Sequence, residues 1–130
     1  FCRSLFAEPT SLRILGDGTQ KKSYLYVKDC VNAIMIALAK CGDKVNILNL
    51  GTDEHVRVSD SVGIITKELG VSPSLSYSGG SQGWIGDNPF ILLRCQRIRS
   101  LGWQPRETIA DSIRKTVRYI RENRWLLAAR

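Results

Sequence analysis

The strongest constraint on the fold lies in residues 23–51, where a β-forming run, a helix-period run and a second β-forming run follow closely on one another. Ser23-Tyr24-Leu25-Tyr26-Val27 is rich in aromatic and β-branched residues and reads as a strand. Asp29 then stands where it can cap a helix whose apolar positions Val31, Ile34, Met35 and Leu38 recur at the 3.6-residue period. Ala33, Ile36, Ala37 and Ala39 fill much of the remaining circumference, and Gly42 is the stop. A helix apolar nearly all round belongs in an interior, so residues 29–41 are predicted to be buried on most of their surface. Val45-Asn46-Ile47-Leu48-Asn49-Leu50-Gly51 reads as the next strand, and strand–helix–strand units are parallel and right-handed in nearly all cases. The fold class is therefore α/β.

The remaining chain adds short elements of both kinds. Residues 12–15 form an apolar run ended by the turn Gly16-Asp17-Gly18, which predicts a strand. Ser59 caps a second helix with Val62, Ile65 and Leu69 inward and Gly70 after it, and residues 74–77 are a further short strand. Residues 78–89 are a Gly- and Pro-containing loop with Trp84 in its middle, and a third helix is predicted over residues 94–101, broken at Gly102. Thr108-Ile109-Ala110-Asp111 resembles a capping box with Asp in place of Glu. Ile109, Ile113, Val117 and Ile120 continue from it as an amphipathic fourth helix, with Arg114, Arg118 and Arg121 on the neighbouring polar stripe. At 130 residues the chain is expected to form one small domain of short strands and about four helices.

Composition excludes several classes. The longest mostly apolar run, residues 33–39, is too short for a membrane span of about 20 residues, and no secretory leader opens the chain, so a cytoplasmic location is expected. Because the first residue is Phe1 and the one methionine is Met35, the chain is read as a piece of a longer parent. Cys2, Cys30, Cys41 and Cys95 contain no Cys-x-x-Cys, and His55 is the single histidine, so a zinc site is not expected and the four thiols are predicted to be reduced. His55 stands among Thr52, Asp53, Glu54 and Arg57 without a nucleophile motif and reads as an ordinary exposed histidine. The net charge of +7 resides wholly in residues 94–130, which hold ten basic residues against Glu107, Asp111 and Glu122. Such a concentration fits nucleic acid, an acidic partner, phosphate groups or simply a solvated helix face.

The chemistry carried by motifs is sparse. No Gly-x-x-Gly-x-x-Gly follows a strand to seat a dinucleotide pyrophosphate on a helix N-terminus, and Gly79-Gly80-Ser81-Gln82-Gly83 leads to Trp and Pro instead of a helix. Gly16-Asp17-Gly18-Thr19-Gln20-Lys21-Lys22 offers backbone amides beside paired lysines, where a diphosphate can be held, although a solvated hairpin loop accounts for the same residues.

The run from Ile14 to Asp29, containing Gly16-Asp17-Gly18-Thr19-Gln20-Lys21-Lys22-Ser23-Tyr24-Leu25-Tyr26-Val27-Lys28-Asp29, resembles the Gly-Asp-Gly-x-Gln-x-Arg-(Ser/Asp)-(Phe/Tyr)-x-(Tyr/His)-Val-x-Asp segment of the NAD-dependent nucleotide-sugar epimerases and dehydratases, which are extended short-chain dehydrogenase/reductases. Further landmarks keep the register: Asn46-Ile47-Leu48-Asn49-Leu50-Gly51, the helix from Val58 to Leu69, Gly86-Asp87, and Leu101-Gly102-Trp103-Gln104-Pro105. The resemblance implies the smaller C-terminal, nucleotide-sugar-binding part of an enzyme about twice this length or more. The N-terminal Rossmann domain, with NAD and the Tyr-x-x-x-Lys catalytic pair, would lie outside this chain. Tyr24 and Lys28 have that spacing but fall in the segment matching the substrate part, so no catalytic or cofactor-binding residue is assigned, and no cofactor is expected on this chain alone.

By the same resemblance Leu15 stands at a base contact, Lys22 at a diphosphate-binding arginine and Asp87 at the ribose and phosphate region. Trp84 and Gln82 occupy positions where members carry an arginine, three and five residues before that Asp, and Arg94 is the nearby arginine that would compensate. The expected partners are a UDP-type nucleotide diphosphate sugar and the Rossmann domain, with no membrane and no nucleic acid; the implied reaction of the parent is hydride transfer from a sugar carbon to NAD and back, as in UDP-hexose 4-epimerisation. A second class remains open, a basic module using the Arg-rich C-terminal helices on nucleic acid or an acidic partner. It would require basic residues interleaved with exposed aromatics, and residues 106–124 hold only Tyr119.

Overall fold

A computed structural model describes residues 1–87 and 90–128. Its elements, in chain order, are α1 (Cys2–Ala7), β1 (Ser11–Ile14), β2 (Lys21–Lys22), α2 (Val27–Lys40), β3 (Val56–Arg57), α3 (Val58–Leu69), β4 (Ser74–Tyr77), α4 (Gln96–Ser100), α5 (Ile109–Glu122) and α6 (Trp125–Ala128). The described chain is thus a small α/β piece with six helices, two more than the four expected, since the short α1 and α6 carry no periodic signal. β1 pairs in parallel with β4, Ser11 opposite Ser74 through Ile14 opposite Tyr77, and β2 pairs antiparallel with β3.

Apolar residues sort into two clusters. Leu5 of α1, Leu12 and Ile14 of β1, Val58, Val62 and Ile65 of α3 and Val117 of α5 make the first, so α3 and α5 pack against the inner face of β1. Ala33, Cys95, Ile98 and Trp103 make the second, and the Trp103 indole N–H donates to the Asp29 carbonyl at 3.1 Å, satisfying its one polar atom in the interior. Gly70 ends α3 in the left-handed conformation, as its position after Leu69 suggests. Thr108 caps α5 by accepting from the Asp111 amide at 3.1 Å, while its hydroxyl donates to the Asp111 carboxylate at 2.7 Å.

Several expectations are corrected. Residues 23–26 do not form a strand: the β2–β3 ladder ends with Lys22 opposite Val56, and no described strand pairs with the residues that follow. Tyr26, not Asp29, is the N-cap of α2; Asp29 lies buried in the first turn, its carboxylate accepting from the Arg106 and Glu107 amides at 3.1 and 3.2 Å. Ser59 does not cap α3, which starts one residue earlier, and its amide donates instead to Gly18 O at 3.0 Å while that of Val58 donates to Gln20 O at 2.9 Å. The third helix begins at Gln96, with Cys95 as its N-cap, instead of at Arg94.

The largest correction concerns residues 27–51. Only Asp29 and Ala33 of α2 are buried, whereas Val31, Ile34, Met35 and Leu38 are 48–73% exposed. Residues 45–51 form no strand, because no described strand lies beside them, and the parallel pair is β1 with β4 instead. Side chains hold the segment: Arg97 Nη1 donates to Ile47 O at 2.8 Å and Asn49 Nδ2 to Arg94 O at 3.3 Å.

Candidate functional site

Where β1 ends, the chain must turn sharply beside the end of β4. Gly16 provides the turn at φ +84°, and its amide donates to Ser78 Oγ at 2.8 Å while its carbonyl accepts from the Gly79 amide at 3.1 Å. A Cβ on Gly16 would sit 1.5 Å from Gln20 Nε2 and 3.2 Å from the Gln82 carbonyl, so the glycine makes room for both. Asp17 closes the tip, its carboxylate accepting from the Thr19 amide at 2.9 Å and hydroxyl at 2.7 Å; these bonds, the hydroxyl's first, hold its carboxyl below the usual aspartate range. Gln20 is buried under the turn and donates to the Leu15 carbonyl at 3.2 Å.

This scaffold presents Lys22 to the loop that follows β4. The Lys22 ammonium pairs with the Asp87 carboxylate across 65 positions of sequence, and the second Asp87 oxygen accepts from the Gly83 amide at 3.1 Å. The bond from Lys22, then that from Gly83, holds the Asp87 carboxyl below its ordinary value. Lys21, Lys22, Ser23, Trp84, Gly86, Asp87 and Ile91 line a cavity of about 260 Å³. Leu15 is exposed beside the same loop, where a Cβ on Gly83 would lie 3.7 Å from that of Leu15.

Of the six residues singled out in the sequence, the fold brings together Lys22, Trp84 and Asp87, with Leu15 beside them. Gln82 is exposed on the same loop and reaches the Gly16 turn through its backbone carbonyl, and Arg94 is exposed and does not line the cavity. Gln20 and Ser78 went unassigned although they brace the turn; the glutamine was present in the motif around Gly16-Asp17-Gly18, whereas nothing marks Ser78 before β1 and β4 are seen to pair.

Tyr24 and Lys28 line separate cavities, an apolar one of about 390 Å³ and a polar one of about 560 Å³. The C-terminal charge is largely engaged within the protein: Arg118 binds Glu68 at 2.6 Å, Arg114 binds Asp111 at 2.8 Å and Lys115 pairs with Glu107. Among the described residues, β1 leads through its glycine turn into β2 and β4 into the Gly79-Gly80 loop, so neither of these glycine turns opens a helix on which a pyrophosphate could rest. Among the described residues no group of three or more His, Cys, Asp or Glu side chains gathers for a metal, and no helix is long and apolar enough to cross a membrane.

Residues 3–51 match the model of the NAD dependent epimerase/dehydratase family. A trifunctional UDP-glucose 4,6-dehydratase/UDP-4-keto-6-deoxy-D-glucose 3,5-epimerase/UDP-4-keto-L-rhamnose-reductase of Arabidopsis thaliana is 32% identical over 116 residues, 86% of this chain and 17% of that protein. A crystal structure of UDP-galactose 4-epimerase superposes with a TM-score of 0.78 at 30% identity, covering 95% of this chain and 39% of the other. MoeE5 in complex with UDP-glucuronic acid and NAD gives a TM-score of 0.77 at 27% identity, covering 94% of this chain and 40% of the other. The chain therefore spans well under half the length of these relatives. A family match over the Gly-Asp-Gly turn and α2, joined to these sugar-nucleotide relatives, makes the chain a member of the NAD dependent epimerase/dehydratase family.

Proposed function

We propose that the chain is the nucleotide-sugar-binding part of an epimerase or dehydratase of this family, with NAD and the acid–base residues carried by a further domain. The observation that carries the reading is the Lys22–Asp87 pair, in which a lysine at the Gly-Asp-Gly turn meets the Gly86-Asp87 loop beside the exposed Leu15. A diphosphate held there would take the lysine charge and loop amides, and Leu15 would offer an apolar contact to the base. The role of this part is to position the sugar for chemistry performed elsewhere, a contribution of orientation. Its cavity of about 260 Å³ falls below the ~300–1,000 Å³ of complete ligand pockets, as suits one wall of a two-domain site. We further propose that a Rossmann domain covers the exposed apolar side of α2 and residues 45–51, and that the whole enzyme works in the cytoplasm.

Amide chemical shifts on titrating the chain with UDP, and separately with NAD, test the reading. UDP is expected to move resonances around Lys22 and residues 82–87, weakly and only while Lys22 is present, and NAD to act there no more strongly than any other ligand with a base and a diphosphate. Equal shifts with any polyanion, confined to Arg114, Arg118 and Arg121, would overturn it in favour of a basic binding module.

A further inference from the structure

Among the residues lining the cavity, Trp84 is the largest, and the Lys22–Asp87 contact does not explain its placement. It is 64% exposed, on a loop whose next residue, Ile85, is 97% exposed. Leaving so large an apolar ring in water forgoes the burial that usually justifies an indole, yet the ring lies against the backbone of its own loop. The Asp87 amide donates to the Trp84 carbonyl at 3.0 Å, closing a tight turn. Gly86, at φ +96°, lets the backbone pass close under the indole, where a Cβ would lie 3.1 Å from its Cζ3 and 3.6 Å from its Cη2. The same turn that directs Asp87 to Lys22 thus sets the ring against Gly86 in the lining of the cavity.

We propose that Trp84 is the stacking platform of this site and takes the flat face of a nucleobase, while Lys22 takes the phosphates. The inference rests on the nucleotide-sugar reading and adds the residue that selects for the nucleotide. A lysine alone accepts any phosphate, since an ammonium is a compact point charge. An exposed indole beside it favours ligands that carry an aromatic ring next to their phosphates, and stacking tolerates any base because every base has a π-face. Trp84 is in this sense a specificity-determining residue, discriminating a nucleoside diphosphate from free pyrophosphate.

The 130-residue chain and its Trp84→Leu, Trp84→Phe and Lys22→Ala variants would be titrated with UDP and with inorganic pyrophosphate, followed by amide shifts and, for UDP, by indole fluorescence. Trp84→Leu is expected to weaken UDP binding about 5- to 100-fold and to leave pyrophosphate binding unchanged, while Trp84→Phe retains most of the UDP affinity. UDP should quench emission in the parent chain more than in Trp84→Phe. Unchanged UDP affinity in Trp84→Leu would overturn the proposal, and so would an equal loss of pyrophosphate binding, which would make the indole a support for the loop alone. Binding of both ligands that ignores Lys22→Ala would instead overturn the nucleotide-sugar reading itself.

Discussion

At Gly16 the backbone is left-handed and the space a side chain would need is filled by Gln20. Gly16→Ala is therefore expected to lose at least about 1–2 kcal/mol of stability, the usual strain of an L-residue in that region, and to disturb the Lys22–Asp87 contact built on the turn. Gly42 is the contrasting case, since its φ is unexceptional and nothing lies within 4 Å of a Cβ there. Gly42→Ala should be neutral or stabilising by about 0.4–1 kcal/mol, and urea unfolding of the two variants checks both. Asp87 carries the pH dependence of the site. Its carboxyl is held below its ordinary value by Lys22 and then Gly83, so the folded state gains from the ionised form above the ordinary aspartate range. That gain is lost as pH falls through the lowered, folded-state value. The Gly83 amide shift is expected to titrate with a midpoint below that of a free aspartate, and Lys22→Ala to move the midpoint upward. Of these residues Lys22 and Asp87 were recognisable one by one through their motifs, but that they touch depends on a loop whose path no local pattern encodes.

Elements with their own start and stop chemistry were the most legible, and those needing a distant partner were legible only in part. α5 announced itself through Thr108 and its apolar spacing, and the cap is present as the residues imply. Thr108→Ala should cost about 1 kcal/mol (range ~0.5–2), seen as a lower urea midpoint at unchanged slope; the Glu54 carboxylate, accepting from the Ile109 amide at 2.9 Å, keeps the helix start from failing outright. β4 was also legible, residues 74–77 being the strand observed. Residues 23–26 and 45–51 have comparable β-forming content and are not strands, because a strand exists only where a ladder completes its hydrogen bonds. What β-forming composition specifies is a willingness to pair, and the neighbour decides.

At the scale of the molecule, α2 is the informative failure. Its all-round apolar character predicted burial, but the described chain covers one side of it, through Ala33, Ile36 and Ala37 against the Trp103 cluster. Leu38 is 73% exposed. Leu38→Gln is accordingly expected to change unfolding stability, measured by urea denaturation, by no more than about 0.5 kcal/mol, as surface substitutions do. A loss of several kcal/mol would mean that the leucine is buried in solution. Val31, Ile34, Met35 and Leu38 leave an apolar row of α2 exposed, the feature that the proposed Rossmann domain would cover. This agrees with relatives in which the matching region is about two fifths of the chain.

The sequence by itself determined what depends on neighbours along the chain: the helical spans of α3 and α5, the stop at Gly70, the glycine turn after β1, and the family to which these belong. Only the tertiary structure decided which strands pair, which side of α2 is covered, and that Lys22, Trp84 and Asp87 line one cavity. The physical reason is range. Capping, turn geometry and helix periodicity are settled within a few residues, whereas β-pairing, burial and the meeting of two loops are settled by surfaces distant in sequence, whose contacts must offset the entropy of bringing them together.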